Sequence, residues 1–318
     1  MIRPEETMTK ETKLATLAAL AGNCIFGFSF MFSRIALSVA SPFVMLTYRF
    51  CFAVLGLNLV ALWSVRTGRG RKQGGEGIDF LRFDLRGKSI VPLLMLGLVQ
   101  PVLYFFCESY GISMTNSTFS GVIIALVPIV ALVLGAALLH EKPTQRQVLF
   151  SLVSIAGVVL MTMQQSAEGE IRPLGVVLLF GAVLSGVVFN IISRSVSDRF
   201  SALERTYVMM MVAAIVFASL ALIENRRQLA VLLVPAMDVG FMASMVYLSL
   251  VSSIGAFMLL NYANNELPVA KTTAFCNLTT MISMFAGVVF LGEPFGPASL
   301  VASVMIILGV WGVQKYSV

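Results

Sequence analysis

Ten apolar stretches, most of them about twenty residues long, follow one another along the chain, and nearly all the charge sits in the connections between them. A bilayer has roughly 30 Å of hydrocarbon, so each crossing needs a helix of about 20 apolar residues. Inside hydrocarbon a segment must satisfy its own backbone N–H and C=O groups, so each stretch is predicted to be an α-helix. Composition agrees: apolar residues make up 58% and charged residues 12% of the 318, with a mean hydropathy of +0.90. An ordinary soluble domain carries roughly 25% charged residues, so a cytosolic enzyme is excluded. Cys24, Cys51, Cys107 and Cys276 all lie inside apolar stretches, where they act as small hydrophobes rather than as a disulfide framework.

The stretches cover residues 14–36, 43–65, 90–110, 118–139, 148–163, 174–192, 207–223, 239–262, 269–291 and 298–313. With the N-terminus placed in the cytoplasm, seventeen Lys and Arg residues fall on the inner side and four (Arg34, Arg172, Arg226, Arg227) on the outer side. That bias satisfies the positive-inside rule with both termini cytoplasmic. Trp63 and Trp311 then fall at inner span ends, where an interfacial belt places them. The net charge of +6 is therefore an orientation signal, and no nucleic-acid partner is expected. The first stretch is too long for a signal-peptide core, so no cleavable leader is expected either.

The chain also resembles itself. At an offset of 152, Phe105 meets Phe257, Tyr110 meets Tyr262, Gly135 meets Gly287, Glu141 meets Glu293 and Gly157 meets Gly309. Earlier in each half the offset is 160, which brings Ser33-Arg34 onto Ser193-Arg194. Two repeats, 1–167 and 168–318, would each hold five spans. An odd number of spans puts the second repeat upside down relative to the first. The expected fold is thus an all-α integral membrane protein of ten transmembrane helices in two inverted five-helix repeats. Inverted repeats suit alternating access around a midplane site.

The run Ala21-Gly22-Asn23-Cys24-Ile25-Phe26-Gly27-Phe28-Ser29-Phe30 resembles the first span of EamA-type transporters of the drug/metabolite transporter superfamily. So do the Pro42-led second span with its Arg49, the proline at Pro128 in the fourth, and the endings Leu139-His140-Glu141 and Leu291-Gly292-Glu293. The resemblance runs over about 14–314, as two repeats. Phe26 replaces the family's usual Trp, and Thr280 stands where a proline is common. The resemblance implies a carrier of amino acids, purines, vitamins or similar small metabolites, often an exporter.

Polar groups within spans pair with each other, line a cavity or take part in transport. Gln100, Tyr104 and Glu108 recur every four residues, which would stack them on one helix face. Thr273, Asn277 and Thr280 form a second stripe in the ninth span. With Asn23, near the middle of the first span, these are the candidate substrate-binding residues. Either stripe could equally serve as interhelical hydrogen-bond glue. Glu108 is the candidate for proton coupling, because burial penalises the charged form of a carboxyl group. Arg49 is a structural pin or a substrate ligand, with Glu108 as a plausible ion-pair partner. Lys271 either snorkels or holds an anion, and Asn190 nearly corresponds to Asn23 in the repeat. Tyr110 and Tyr262 are gate or interface residues. Glu141 and Glu293 are hairpin and helix-start residues.

His140, the sole histidine, lies in a loop and offers no metal site, and no cofactor is expected. The sequence carries no His-Glu-x-x-His pair or Asp-rich diphosphate motif, which argues against an intramembrane enzyme. The expected function is secondary transport of a small polar metabolite, an amino acid or relative, across the cytoplasmic membrane by alternating access, with an outward direction implied by the family resemblance. A lipid-headgroup or lipid-linked metabolite flippase of the same fold is the alternative. The implied partners are the bilayer and a small-molecule substrate, with the chain a monomer or a homodimer.

Overall fold

A computed structural model describes residues 10–66, 83, 85, 87–138, 144–167, 171–267 and 275–316. Those residues are almost entirely helical, and no strand occurs among them. The helices are α1 (Lys10–Leu37), α2 (Pro42–Arg66), α3 (Val91–Ser113), α4 (Ser117–Ile124), α5 (Val127–Leu138) and α6 (Gln145–Ala167). They continue as α7 (Pro173–Ser195), α8 (Ala202–Glu224), α9 (Val239–Glu266), α10 (Cys276–Leu291) and α11 (Pro297–Lys315).

Local chemistry sets the boundaries. Asn116 accepts the Phe119 N–H at 2.8 Å and starts α4. Ser201 and Glu204 form a reciprocal capping box ahead of α8, with bonds of 3.1 and 2.9 Å. Asp238 accepts the Phe241 N–H at 2.6 Å and starts α9. Helix α10 stops at Gly292, whose φ of +64° is a left-handed conformation that glycine adopts without strain. The turn between α4 and α5 precedes Pro128, which has no N–H to offer the Ile124 carbonyl.

Two helices are irregular at midlength. Gln100 interrupts α3 with an extended backbone (φ −145°, ψ 119°). Pro101 explains this: a proline disfavours helical geometry in the residue before it and cannot bond to the Gly97 carbonyl. The stretch Leu98–Leu103 is wound as a π-helix, and so is Tyr247–Ala256 in α9. The offset of 152 that aligns Phe105 with Phe257 lays the first of these stretches inside the second.

Six helical segments are long and apolar enough to cross a membrane: Glu11–Leu37, Pro42–Val60, Val91–Ser113, Pro173–Ser195, Ala202–Glu224 and Val239–Glu266. Shorter apolar helices span Ser117–Ala131, Gln145–Met161, Leu278–Leu291 and Pro297–Val313. The distribution of side chains is the reverse of a soluble protein's. Leu59, Ile215 and Val177 are more than 60% exposed, whereas Arg49, Glu204, Arg205, Asn261 and Asn264 are fully buried. That arrangement suits hydrocarbon as solvent.

Helix α6 lies against α11 and α2 against α8. Ser154 and Ile306, which are 152 residues apart, meet through a 3.3 Å bond from the serine hydroxyl to the isoleucine carbonyl. Helix α1 packs along α9 and runs antiparallel to it: Gly22 faces Leu259, and Ile35 lies beside Gly240.

Candidate functional site

Asn23, Gln100, Tyr104 and Glu108, four of the candidate residues, line one central cavity. Its walls come from both halves: Asn23, Phe26, Ser29 and Phe30 of α1, Arg49 of α2, and Gln100, Tyr104, Phe105 and Glu108 of α3. Ile124 and Val127 border it, and Gly186, Phe189 and Asn190 of α7, Leu260 of α9 and Thr279 of α10 complete it. About 70 Å³ is open to the centres of water molecules, so the space is small. A groove of aromatic and aliphatic walls with a few convergent polar groups is the usual character of a small-molecule site.

Arg49 is the most buried charge there, with no exposed surface. Its Nε donates to Ser253 Oγ at 2.9 Å and its Nη2 to Ser252 Oγ at 3.0 Å. Both serines lie in the π-helical part of α9, whose altered winding brings consecutive residues toward the guanidinium. Ser29 adds a 2.9 Å bond to Ser252, and the Phe105 ring lies under the guanidinium carbon with its centroid 4.0 Å away. All these partners are neutral. Nη1 has no hydrogen-bond partner, and among the described residues no carboxylate comes within 4 Å of Arg49. The Glu108 carboxyl faces the same cavity and interacts with Arg49 through space without contact. Tyr104, one helical turn earlier, lines the same cavity as Glu108.

Gln100 lines the cavity too, but the break in α3 means that it does not simply continue the face carrying Tyr104 and Glu108. Its buried Oε1 has no hydrogen-bond partner. Asn23 and Asn190 make similar use of their amides. Each returns Nδ2 to a carbonyl four residues back, Ala19 at 2.8 Å and Gly186 at 3.0 Å. Each also accepts at Oδ1, from Thr279 at 3.0 Å and from Asn264 Nδ2 at 3.2 Å.

Thr280, from the second predicted stripe, lies elsewhere: its hydroxyl donates to the Gly121 carbonyl at 2.9 Å, across the contact between α10 and α4. Its neighbour Thr279 takes the place at the cavity. Thr273, Lys271, His140 and Glu141 lie outside the described residues, as does the side chain of Asn277. Tyr110 packs edge-on against Phe43 rather than at the cavity. Spacing did not single out Ser29, Ser252, Ser253 or Phe105. A serine in an apolar helix looks the same whether it bonds its own backbone or a distant arginine.

The ends of the bundle are tied across elements. Arg34 Nη1 donates to the Ile112 carbonyl at 2.9 Å, joining α1 to the end of α3. Glu293, from the connection between α10 and α11, accepts the Ser117 and Thr118 N–H groups at 2.8 and 2.7 Å and so caps α4. An open crevice lies at the same end, lined in part by Arg34, Ser38, Thr115, Asn116 and Glu293. At the other end Arg194 Nη1 donates to the Asn264 carbonyl at 2.8 Å. Arg205, fully buried, donates to the carbonyl and hydroxyl of Ser193 and to the Asn261 carbonyl at 2.7–2.8 Å.

The sequence matches the EamA-like transporter family over residues 13–163 and 173–314, which is most of the chain. The chain belongs to the EamA-like transporter family. It is a multi-pass membrane transporter of the drug/metabolite transporter type. This EamA-like chain is 30% identical over 301 residues to the uncharacterized transporter YcxC of Bacillus subtilis (strain 168), covering 94% of this chain and 92% of that protein. It is 26% identical over 273 residues to a protein of Streptantibioticus cattleyicolor named as a probable terminal-alkyne amino-acid exporter, covering 83% of this chain and 85% of the relative. A solved crystal structure superposes with a TM-score of 0.61 over 94% of this chain and 95% of that chain, at 16% identity, a likeness of fold.

Proposed function

We propose that this transporter is a ten-span secondary carrier of the cytoplasmic membrane, with both termini cytoplasmic. It moves a small polar metabolite, an amino acid or close relative, outward by alternating access about the central cavity. The observation that carries this is the cavity itself. Buried polar groups from both family-matched segments meet there, next to two helices whose regular winding fails at corresponding positions. Broken helices at a midplane site are a recurring feature of secondary transporters.

The inverted-repeat reading is supported by the matched ties Arg34–Ile112 and Arg194–Asn264 and by the antiparallel course of α1 and α9. The amino-acid reading is supported by the named activity of the Streptantibioticus cattleyicolor relative. Glu108 supplies the proton-coupling group in this scheme, as the single carboxylate among the described residues lining the cavity.

Counterflow in proteoliposomes preloaded with amino-acid mixtures tests the proposal, with wild type and Glu108→Gln side by side. Saturable exchange is expected in wild type and, at a higher half-saturating concentration, in Glu108→Gln, where accumulation driven by a pH gradient is lost. Accumulation that survives the substitution removes Glu108 as the coupling group. Absence of exchange with every amino acid, alongside exchange of a nucleobase or vitamin, overturns the substrate. Movement of labelled lipid alone overturns the carrier in favour of a flippase.

A further inference from the structure

Arg49 presents a problem that its own partners leave unsolved. A charge removed from water costs several kcal/mol unless it is paired and its donors are satisfied. Here two hydroxyls and an aromatic face hold the guanidinium, no carboxylate lies within 4 Å, and Nη1 has no partner. The same cavity holds the reverse need. Glu108 is a buried carboxyl group on the cavity wall, and Gln100 Oε1 is a buried acceptor with no partner. Arg49, Gln100 and Glu108 thus line one cavity with a cationic donor and an acceptor left without partners.

We infer that the cavity recognises an α-amino acid with an apolar side chain as a zwitterion, its carboxylate on Arg49 Nη1 and its ammonium between Glu108 and Gln100 Oε1. This rests on the carrier reading above and gives its cavity a ligand chemistry. A zwitterion satisfies the donor and the acceptors at once, because its two charges sit one carbon apart. A simple amine leaves Arg49 as it is, and a simple acid leaves Glu108 and Gln100 as they are. The rest of the wall selects the side chain: Phe26, Phe30, Phe189, Ile124 and Leu260 offer it only apolar surface. Arg49 then acts as the carboxylate ligand, and Ser252 and Ser253 of the opposite half aim it.

The test measures binding of three matched probes to the purified full chain in detergent, by ligand-induced shift of thermal unfolding. The probes are leucine, isoamylamine (leucine without its carboxylate) and isocaproate (leucine without its ammonium). Leucine is expected to bind about 10- to 100-fold more tightly than either half-molecule, the range for losing a charge-assisted hydrogen bond. Arg49→Gln is expected to bring leucine down to the level of isoamylamine and to leave isoamylamine unchanged. A purely structural arginine would instead weaken all three probes alike, and that result overturns the inference.

Should Arg49→Gln fail to fold, Gln100→Met keeps the side-chain volume and removes the orphan acceptor. It is expected to weaken leucine and isoamylamine and to spare isocaproate; equal effects on all three overturn the inference. Equal binding of the three probes by wild type also overturns it. Counterflow separates the two claims. Selective leucine binding without counterflow leaves the site standing and removes the carrier. Counterflow of another solute without leucine binding does the reverse.

Discussion

Arg34 and Arg194 make the same bond at opposite ends of the bundle. Each donates through Nη1, at 2.9 and 2.8 Å, to a backbone carbonyl near the end of the helix two spans further on, Ile112 and Asn264. The donors are related by the offset of 160 and the acceptors by the offset of 152. Because α1 and α9 run antiparallel, one tie lies at each end. The two arginines thus tie opposite ends of the bundle.

Removing either clamp is expected to destabilise the fold. Arg34→Met and Arg194→Met each delete a charged donor to a carbonyl, a loss of about 1–3 kcal/mol. Unfolding in detergent with graded denaturant measures it. Arg194 also reaches the Asn265 carbonyl, so its loss should be the greater of the two. A null effect at both positions contradicts the role given to the ties.

Gly157 and Gly309 are expected to tolerate no larger side chain. A Cβ on Gly157 would stand 2.8 Å from the Ala302 carbonyl oxygen, and one on Gly309 would stand 2.6 Å from that of Phe150. The atoms in the way are backbone, so α6 and α11 would have to separate. Gly157→Val and Gly309→Val should each cost about 1–3 kcal/mol, typical of overpacking. Equal thermal midpoints for wild type and both variants would show that the two helices are not closely packed.

Glu293→Gln should weaken the start of α4. The carboxylate receives two backbone N–H groups there, at 2.8 and 2.7 Å, and an amide can accept through only one oxygen. A loss of about 1 kcal/mol, in the range for a helix cap, is expected. Glu293→Asp, whose shorter arm keeps the charge but retracts it, should fall at or below Glu293→Gln. Hydrogen exchange at the Ser117 and Thr118 amides reads the effect locally, and unchanged protection there contradicts it.

How much of this could be read in the sequence depends on how local each signal is. Apolar length located the helices, but it cut α8 short: the predicted stretch began at 207, whereas the helix begins at Ala202. Hydropathy stops at Glu204 and Arg205, yet the helix carries both, because a capping box and a buried hydrogen-bond cluster satisfy them. The spacing of Tyr104 and Glu108 was legible because both lie on regular helix. Gln100 was placed on the same face, although Pro101 beside it was the available sign that the helix breaks there.

The partners of Arg49 were not legible. Ser252 and Ser253 lie some two hundred residues away in sequence, and the π-helical winding that presents them has no composition of its own. The same holds for Glu293, which belongs by sequence to its own hairpin and by bonding to α4 in the other half. Thr279 and Thr280 differ by one position, and a stripe drawn from sequence alone selected the residue that faces α4.

The most direct test of the central cavity as the transport site is counterflow by Gly186→Leu. Gly186 borders the cavity, and a Cβ there meets Tyr104 at an ordinary 3.7 Å, so the substitution fills space without forcing the backbone. Amino-acid exchange in proteoliposomes should fall at least tenfold while the unfolding midpoint stays near that of wild type. Exchange at the wild-type rate with leucine in place would mean that solute crosses by another route, and the cavity would lose its role.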